Sequence, residues 1–212
     1  MLIHRWDAAL NDDDWRDFVR AQAFGHLVAA GAGREYPAVV PTQFALTVGE
    51  GGEDVVLMHL ARPNPMWEVL AENPHVVMSV AGDWAFIPAS WKAVGDEDPA
   101  YGIPTTYYAA AQLFGTAEVV DDPGEIAAIL RRQLGSLPLD EGQVDPSEHA
   151  NSLRTIRGIR ITVENVRAKF KYGGNVDGAH RMAVVQHLEE RDGPGDRAAL
   201  RQLRRLLAAE EA

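Results

Sequence analysis

The sequence predicts a mainly β fold, an antiparallel barrel with peripheral helices (α+β). Six or so short runs of apolar or alternating residues read as strands. The turns between them are brief and rich in Gly, Pro and Asp. Helical patterns are confined to the start of the chain, to two places between strands, and to the tail. No internal repeat or long linker divides the 212 residues. One domain over 1–212 is expected, with a C-terminal helical extension over 179–212.

In chain order, 12–22 is a helix, capped by Asp12 or Asp13 and carrying Trp15, Phe18 and Val19 on one stripe. Phe24–Ala30 and Pro37–Val48 form a hairpin across the glycine turn 31–34, and Val55–Leu60 is a third strand. Pro63 and Pro65 start a short helix over 65–73, with Trp67 and Leu70 facing inward. His75–Gly82 is a strand that continues or restarts over 85–87. A polar loop, 91–102, leads into the long strand 105–120, where Gly115 marks a bend. The turn Asp121-Asp122-Pro123-Gly124 opens a helix ending at Gly135, and 136–151 is a connection. The last long strand covers 153–171, and the helical tail is broken at 193–195.

The composition narrows the function. With 46% hydrophobic residues, a chain of this size can bury a substantial core. No apolar run approaches the roughly 18 residues that span a bilayer. The opening MLIHRWDAALNDDDW has no apolar targeting segment, so a soluble protein outside the membrane is expected. The absence of cysteine excludes disulfides, thiolate metal sites and a cysteine nucleophile, and fits a cytoplasmic setting. A net charge of −11 repels nucleic acid at long range. Arg197, Arg201, Arg204 and Arg205 are the one basic stretch that could offset it. They read as a solvated helix face near Glu210 and Glu211.

Four stretches carry chemistry. In His59-Leu60-Ala61-Arg62-Pro63-Asn64-Pro65, Arg62 and Asn64 precede free helix N–H groups, which suits an anion. Equally, Asn64 caps the helix and Arg62 pairs with a surface acid. His59 shares a strand face with Val55 and Leu57. It is either a hydrogen-bonded core residue or a ligand to iron, with His26 as its main rival. Phe86-Ile87-Pro88-Ala89-Ser90-Trp91-Lys92 brings a hydroxyl, an indole and an ammonium to a strand end. Thr105, Thr106, Tyr107 and Tyr108 put two hydroxyls and two phenols within four residues, lining a polar mouth or simply packing a strand. Lys169 and Lys171 share one strand face ahead of a Gly-Gly turn. They repel each other unless an anion or water lies between them.

Taken together, HLARPNP, FIPASW, PTTYY and KFKYGGN resemble, in order and spacing, the PaiB-like family of FMN-binding negative transcriptional regulators, over about residues 1–190. The resemblance implies a homodimeric split β-barrel of the pyridoxamine-phosphate-oxidase type, with the cofactor at the dimer interface. It implies that Arg62 and Asn64 hold the cofactor's acidic end and that Ser90, Trp91, Thr105 and Lys171 line its pocket. The chain departs from the common pattern at 38–41, 106–107, 112 and 173–174, where polar ring partners are lost.

In these departures the chain is similar to the haem-dependent piperazate synthases of the same family. That branch closes an N–N bond in N5-hydroxyornithine to give piperazic acid. It implies haem b with His59 as the axial iron ligand, Thr106 beside Thr105 in the cofactor pocket, and a small N-hydroxylated amino acid as substrate. Tyr107, Tyr108, Lys92, Lys169 and Lys171 are the candidates for moving protons. The alternative is an FMN-binding regulator or flavin-linked reductase on the same barrel.

Overall fold

The computed structural model describes residues 1–135 and 144–210. Its strands form one seven-stranded sheet in the order β2-β1-β5-β6-β7-β4-β3. They are β1 (Phe24–Ala29), β2 (Ala38–Gln43), β3 (Ala45–Val48), β4 (Asp54–Ala61), β5 (His75–Ile87), β6 (Thr105–Val120) and β7 (Ile156–Lys171). The helices are α1 (Asp12–Gln22), α2 (Met66–Glu72), α3 (Pro123–Leu134), the single turn α4 (Ala150–Leu153), α5 (Gly178–Arg191) and α6 (Asp196–Glu210). The β1–β2, β1–β5, β3–β4 and β4–β7 pairs are antiparallel. The fold is mainly antiparallel sheet with peripheral helices, of the split-barrel type.

Local chemistry explains where the elements start and bend. Asn11, not Asp12 or Asp13, caps α1: its Oδ1 accepts from Asp14 N at 3.1 Å. The Asp14 carboxylate accepts in return from the Leu10 and Asn11 amides. The expected single strand over 37–48 is two strands with different partners. β2 pairs with β1 and β3 with β4, and the break falls at Phe44, whose ring is 1% exposed. The strands β2 and β3 thus meet different neighbours on either side of one buried ring. The 75–87 run is one strand, bent at Asp83 with φ 49. The last strand starts at Ile156, because 150–153 is a helical turn. The expected connection over 136–151 lies in part outside the described residues, as does Glu211.

The chain divides into two compact units. One comprises Arg16–Val80 and Ala111–Arg167. In it, α3 lays Ile126, Ala127 and Ile129 on Val55 and Leu57 of β4, with Val120 and Leu153 completing the cluster. Each valine, leucine or isoleucine among them contributes roughly 1.5–3 kcal/mol when fully buried. Gly115 of β6 sits where a Cβ would strike the Thr162 carbonyl, so only glycine permits that approach of β6 to β7.

The other unit comprises Met1–Trp15, Ala81–Ala110 and Ala168–Ala212. Its core holds Tyr107, Phe170, Tyr172, Val184, Leu188 and Leu203. The Tyr172 hydroxyl donates to the Asp83 carbonyl at 2.7 Å, and Gln202 Nε2 donates to the Asp83 carboxylate at 2.7 Å. These bonds hold Asp83 in its left-handed conformation. Gly195, with φ 85, lets the α5–α6 turn lie against the Trp84 carbonyl.

Candidate functional site

His59, Arg62 and Asn64 belong to the first of these units. His59 stands on the face of β4 that α3 covers, and its Nδ1 meets Gln133 Oε1 at 2.7 Å. Gln133 is 1% exposed, and its Nε2 donates to the Gln43 carbonyl at 2.8 Å. Gln43 Nε2 donates back to the Gln133 carbonyl at 3.1 Å. This amide pair fixes the imidazole through Nδ1 and leaves Nε2 as the ring's remaining ligand atom. Arg62 donates to the Arg154 carbonyl at 2.8 Å and pairs with Asp121 at 3.1 Å. Asn64 Oδ1 accepts from Met66 N at 2.9 Å, at the start of α2. An incoming phosphate would therefore compete with Asp121 for Arg62, while the Asn64 amide group is not used in its cap.

The other candidates belong to the second unit. Thr105 opens β6 and Lys171 ends β7, and Lys171 Nζ donates to Thr105 Oγ1 at 2.7 Å. The half-buried Tyr108 ring lies 5.9 Å from Lys171 Nζ and 5.8 Å from Lys169 Nζ. Lys169 is buried and anchored: it donates to the Leu2 carbonyl at 3.0 Å and pairs with Asp7 at 3.4 Å. Lys92 closes the short helical turn Ala89–Lys92. Burial first, and the Lys171 charge second, hold its ammonium below the usual lysine range.

Tyr107 faces away from this group. Its ring meets Tyr172 edge-on at 5.8 Å, its hydroxyl is buried without a partner, and burial pushes its pKa up to about 12. Trp91 stacks on His187 at 5.1 Å beneath the Arg191 guanidinium. Ser90 and Thr106 lie exposed at the ends of their elements. The structure thus brings together Thr105, Tyr108, Lys169 and Lys171, leaves Lys92 at the neighbouring helical turn with Glu97 and Asp98 around it, and commits Tyr107 and Trp91 to packing.

Three participants escaped the sequence. Gln133 is an amide on the buried stripe of α3, four residues after Ile129, and a polar residue at such a position is the readable sign of a buried hydrogen bond. Asp7 neutralises Lys169 from the far end of the chain. His180 lies between Asp177 at 2.7 Å and Glu97 at 3.0 Å, tying the 93–102 segment to the start of α5. Among the described residues, no group of three or more His, Asp or Glu side chains is arranged to hold a metal ion. Likewise, no described helix is long and apolar enough to cross a membrane.

Comparison with known proteins agrees with this architecture. A Bacillus subtilis (strain 168) relative, "Protease synthase and sporulation protein PAI 2", is 24% identical over 200 residues, covering 92% of this chain and 92% of its own. The flavocytochrome Anf3 from Azotobacter vinelandii shares the fold with TM-score 0.57 at 18% identity, over 85% of this chain and 78% of its own. A FAD- and haem-binding protein from Mycobacterium smegmatis does so with TM-score 0.53 at 19% identity, over 82% and 78%. The family model described as "Putative FMN-binding domain" matches residues 1–165, and the chain belongs to that family.

Proposed function

We propose that the chain is a flavin-linked redox protein, a homodimer that holds FMN and acts on a small organic molecule in the cytoplasm. One observation carries this reading: in a chain of net charge −11, Lys171 Nζ donates to Thr105 Oγ1 at 2.7 Å and lies 5.9 Å from the Tyr108 ring, with no ion pair to Lys171 among the described residues. The donors fit the group. Lys171 has three N–H donors and gives one to Thr105, leaving two for an electron-rich ring edge or oxyanion. The Tyr108 face offers a planar surface for stacking. Bound FMN supplies one- and two-electron transfer. Lys92, with its ammonium destabilised, is suited to give or take a proton at Nζ. Membership of the FMN-binding family supports the choice of ring.

A second copy of the chain is the proposed partner. Trp84 and Phe86 present 58% and 50% of their surface from one face of β5, and Tyr101 and Ile103 are more exposed still. Direct DNA binding is disfavoured by the acidity.

The His59–Gln133 bond favours a second reading, a haem-dependent cyclase of the piperazate synthase kind. An imidazole oriented through Nδ1 presents Nε2 as a ligand, the usual arrangement for metal-binding histidines. Two proteins of similar fold are named for flavin or cytochrome and haem together. Here the substrate would be N5-hydroxyornithine, its α-amine displacing the N-hydroxyl as water. An absorption spectrum after addition of FMN, and separately of hemin, separates the readings. Stoichiometric FMN uptake, reversed on denaturation, is expected. A Soret band with hemin and no FMN uptake would replace the first reading by the second, and uptake of neither would overturn both.

A further inference from the structure

The strand β3 ends the sheet order, with β4 its only strand neighbour among the described residues. In the β3–β4 hairpin Gly49 N donates to the Glu53 carbonyl at 2.8 Å, in register with the pairs Ala45↔Leu57 and Thr47↔Val55. Antiparallel partners alternate between bonded and non-bonded pairs. Ala45 and Thr47 therefore bond to β4, while Phe44, Leu46 and Val48 turn their backbone groups outward. Phe44 shows the direction: its N–H donates to the Ala23 carbonyl at 3.1 Å. Past that point, the outward N–H and C=O groups of Leu46 and Val48 meet no strand among the described residues. Proteins commonly guard such an edge with proline or charge. At the other end of the order, β2 carries Pro41. The run Ala45-Leu46-Thr47-Val48 has neither, and Val48 is 58% exposed.

Two cavities follow this strand and share Thr47 and Arg132. One, of about 350 Å³, lies at the Phe44 end, with Arg20, Arg131 and Arg132 in its wall. The other, of about 630 Å³, lies at the Gly49 end, with Glu50 and Glu53 in its wall. Its further pair, Arg160 and Glu125, is joined at 2.9 Å. Arg20 and Arg131 have Asp17 and Asp145 as partners, whereas Arg132, Glu50 and Glu53 have no ion pair among the described residues. The groove is thus cationic where β3 begins and anionic where it ends. We propose that β3 accepts an added strand: the extended C-terminal segment of a partner protein, antiparallel to β3, with its carboxylate among the arginines and a basic residue upstream against Glu50 and Glu53. Main-chain bonds to Leu46 and Val48 hold such a peptide, and the charges at the two ends set its direction. This surface is independent of which cofactor the chain holds.

The test uses the whole protein and a short dye-labelled peptide of alternating valine and threonine, with lysine near its start and a free C-terminal carboxylate. Fluorescence anisotropy should show saturable binding. Every second N–H of an added strand meets β3. Methylating the backbone nitrogens of one set, the valines or the threonines, should therefore abolish binding, and methylating the other set should leave it intact. Amidating the C-terminus, or replacing Arg132→Ala, should weaken binding about tenfold, as expected for one charge-assisted hydrogen bond. Leu46→Pro removes an outward N–H that the β3–β4 ladder does not use, and should not bind. The peptide variants keep the test independent of how L46P folds. No binding, or equal binding by both methylated sets, overturns the added strand. Binding indifferent both to amidation and to R132A overturns the carboxylate assignment. Self-association in sedimentation that L46P abolishes and the peptide does not compete with would overturn the peptide and give the edge to a second copy.

Discussion

Replacing Gly173 by alanine should destabilise the protein through one identifiable collision. Gly173 follows β7 with φ 76, and a Cβ there would press on the Tyr107 hydroxyl and stand 3.2 Å from Tyr107 Cζ. The Tyr107 ring cannot swing aside, being 2% exposed and packed edge-on against Tyr172. A left-handed alanine costs about 1 kcal/mol relative to glycine, and overpacking a rigid core adds about 1–3 kcal/mol. A total near 3 kcal/mol corresponds to a Tm lowered by about 6–12 °C for a chain of this size. Tyr107→Phe alone removes a buried hydroxyl that has no partner, so it should be neutral or slightly stabilising. In the double variant the overpacking contribution should return, leaving only the backbone cost. Calorimetry on the four proteins completes the cycle. A G173A protein as stable as wild type, or a double variant no better than G173A, would refute the reasoning.

Other perturbations follow from the same contacts. Lys169→Met leaves the buried Asp7 without its cation, and should cost about 3–5 kcal/mol in a urea titration. His59→Ala strands Gln133 Oε1 and should cost about 1–3 kcal/mol; under the haem reading it also abolishes the Soret band, whereas FMN uptake survives. The His180 contact should depend on pH in two senses. Hydrogen bonds to Asp177, then to Glu97, raise the imidazole above its ordinary 6.5, so its contribution is complete below that value and is lost as pH rises through the raised one. Asp177 and Glu97 are lowered from 3.8 and 4.5, mainly by backbone amides and His180, so theirs is present above those values and lost as pH falls through the lowered ones. Hydrogen exchange over 93–102, corrected for intrinsic rates, should be slower near pH 6 than near pH 9, and His180→Ala should erase the difference.

Much of the fold was legible because alternation and turn residues are local signals. The long strands β6 and β7 and the helical tail, with its break at 193–195, all announce themselves. The split at Phe44 does not, since an apolar residue inside an apolar run carries no sign that its strand is about to change partners. Asn11 was overlooked as a cap because three aspartates follow it, each an equally good candidate by type. The lysines and phenols stood out by chemistry. Their partners did not: Asp121 lies far from Arg62 in the chain, as does Asp7 from Lys169, and only the folded sheet brings them together. Tyr107 and Tyr108 look interchangeable in sequence, yet the strand's alternation sends one into the core and the other to the lysines.

The chain contains only three lysines, Lys92, Lys169 and Lys171, among 20 lysines and arginines, and this uneven use has a practical side. Guanidinium groups ignore most reagents aimed at amines, so the outer surface of this protein is largely inert to acylation. Lys169 is shielded, leaving Lys92 and Lys171 as the side-chain amines within reach. Among side chains, an amine-directed dye, cross-linker or resin would therefore attach at the candidate site itself. Such a reagent would act as a probe of that site's occupancy, and would be a poor choice for tethering the protein in working order.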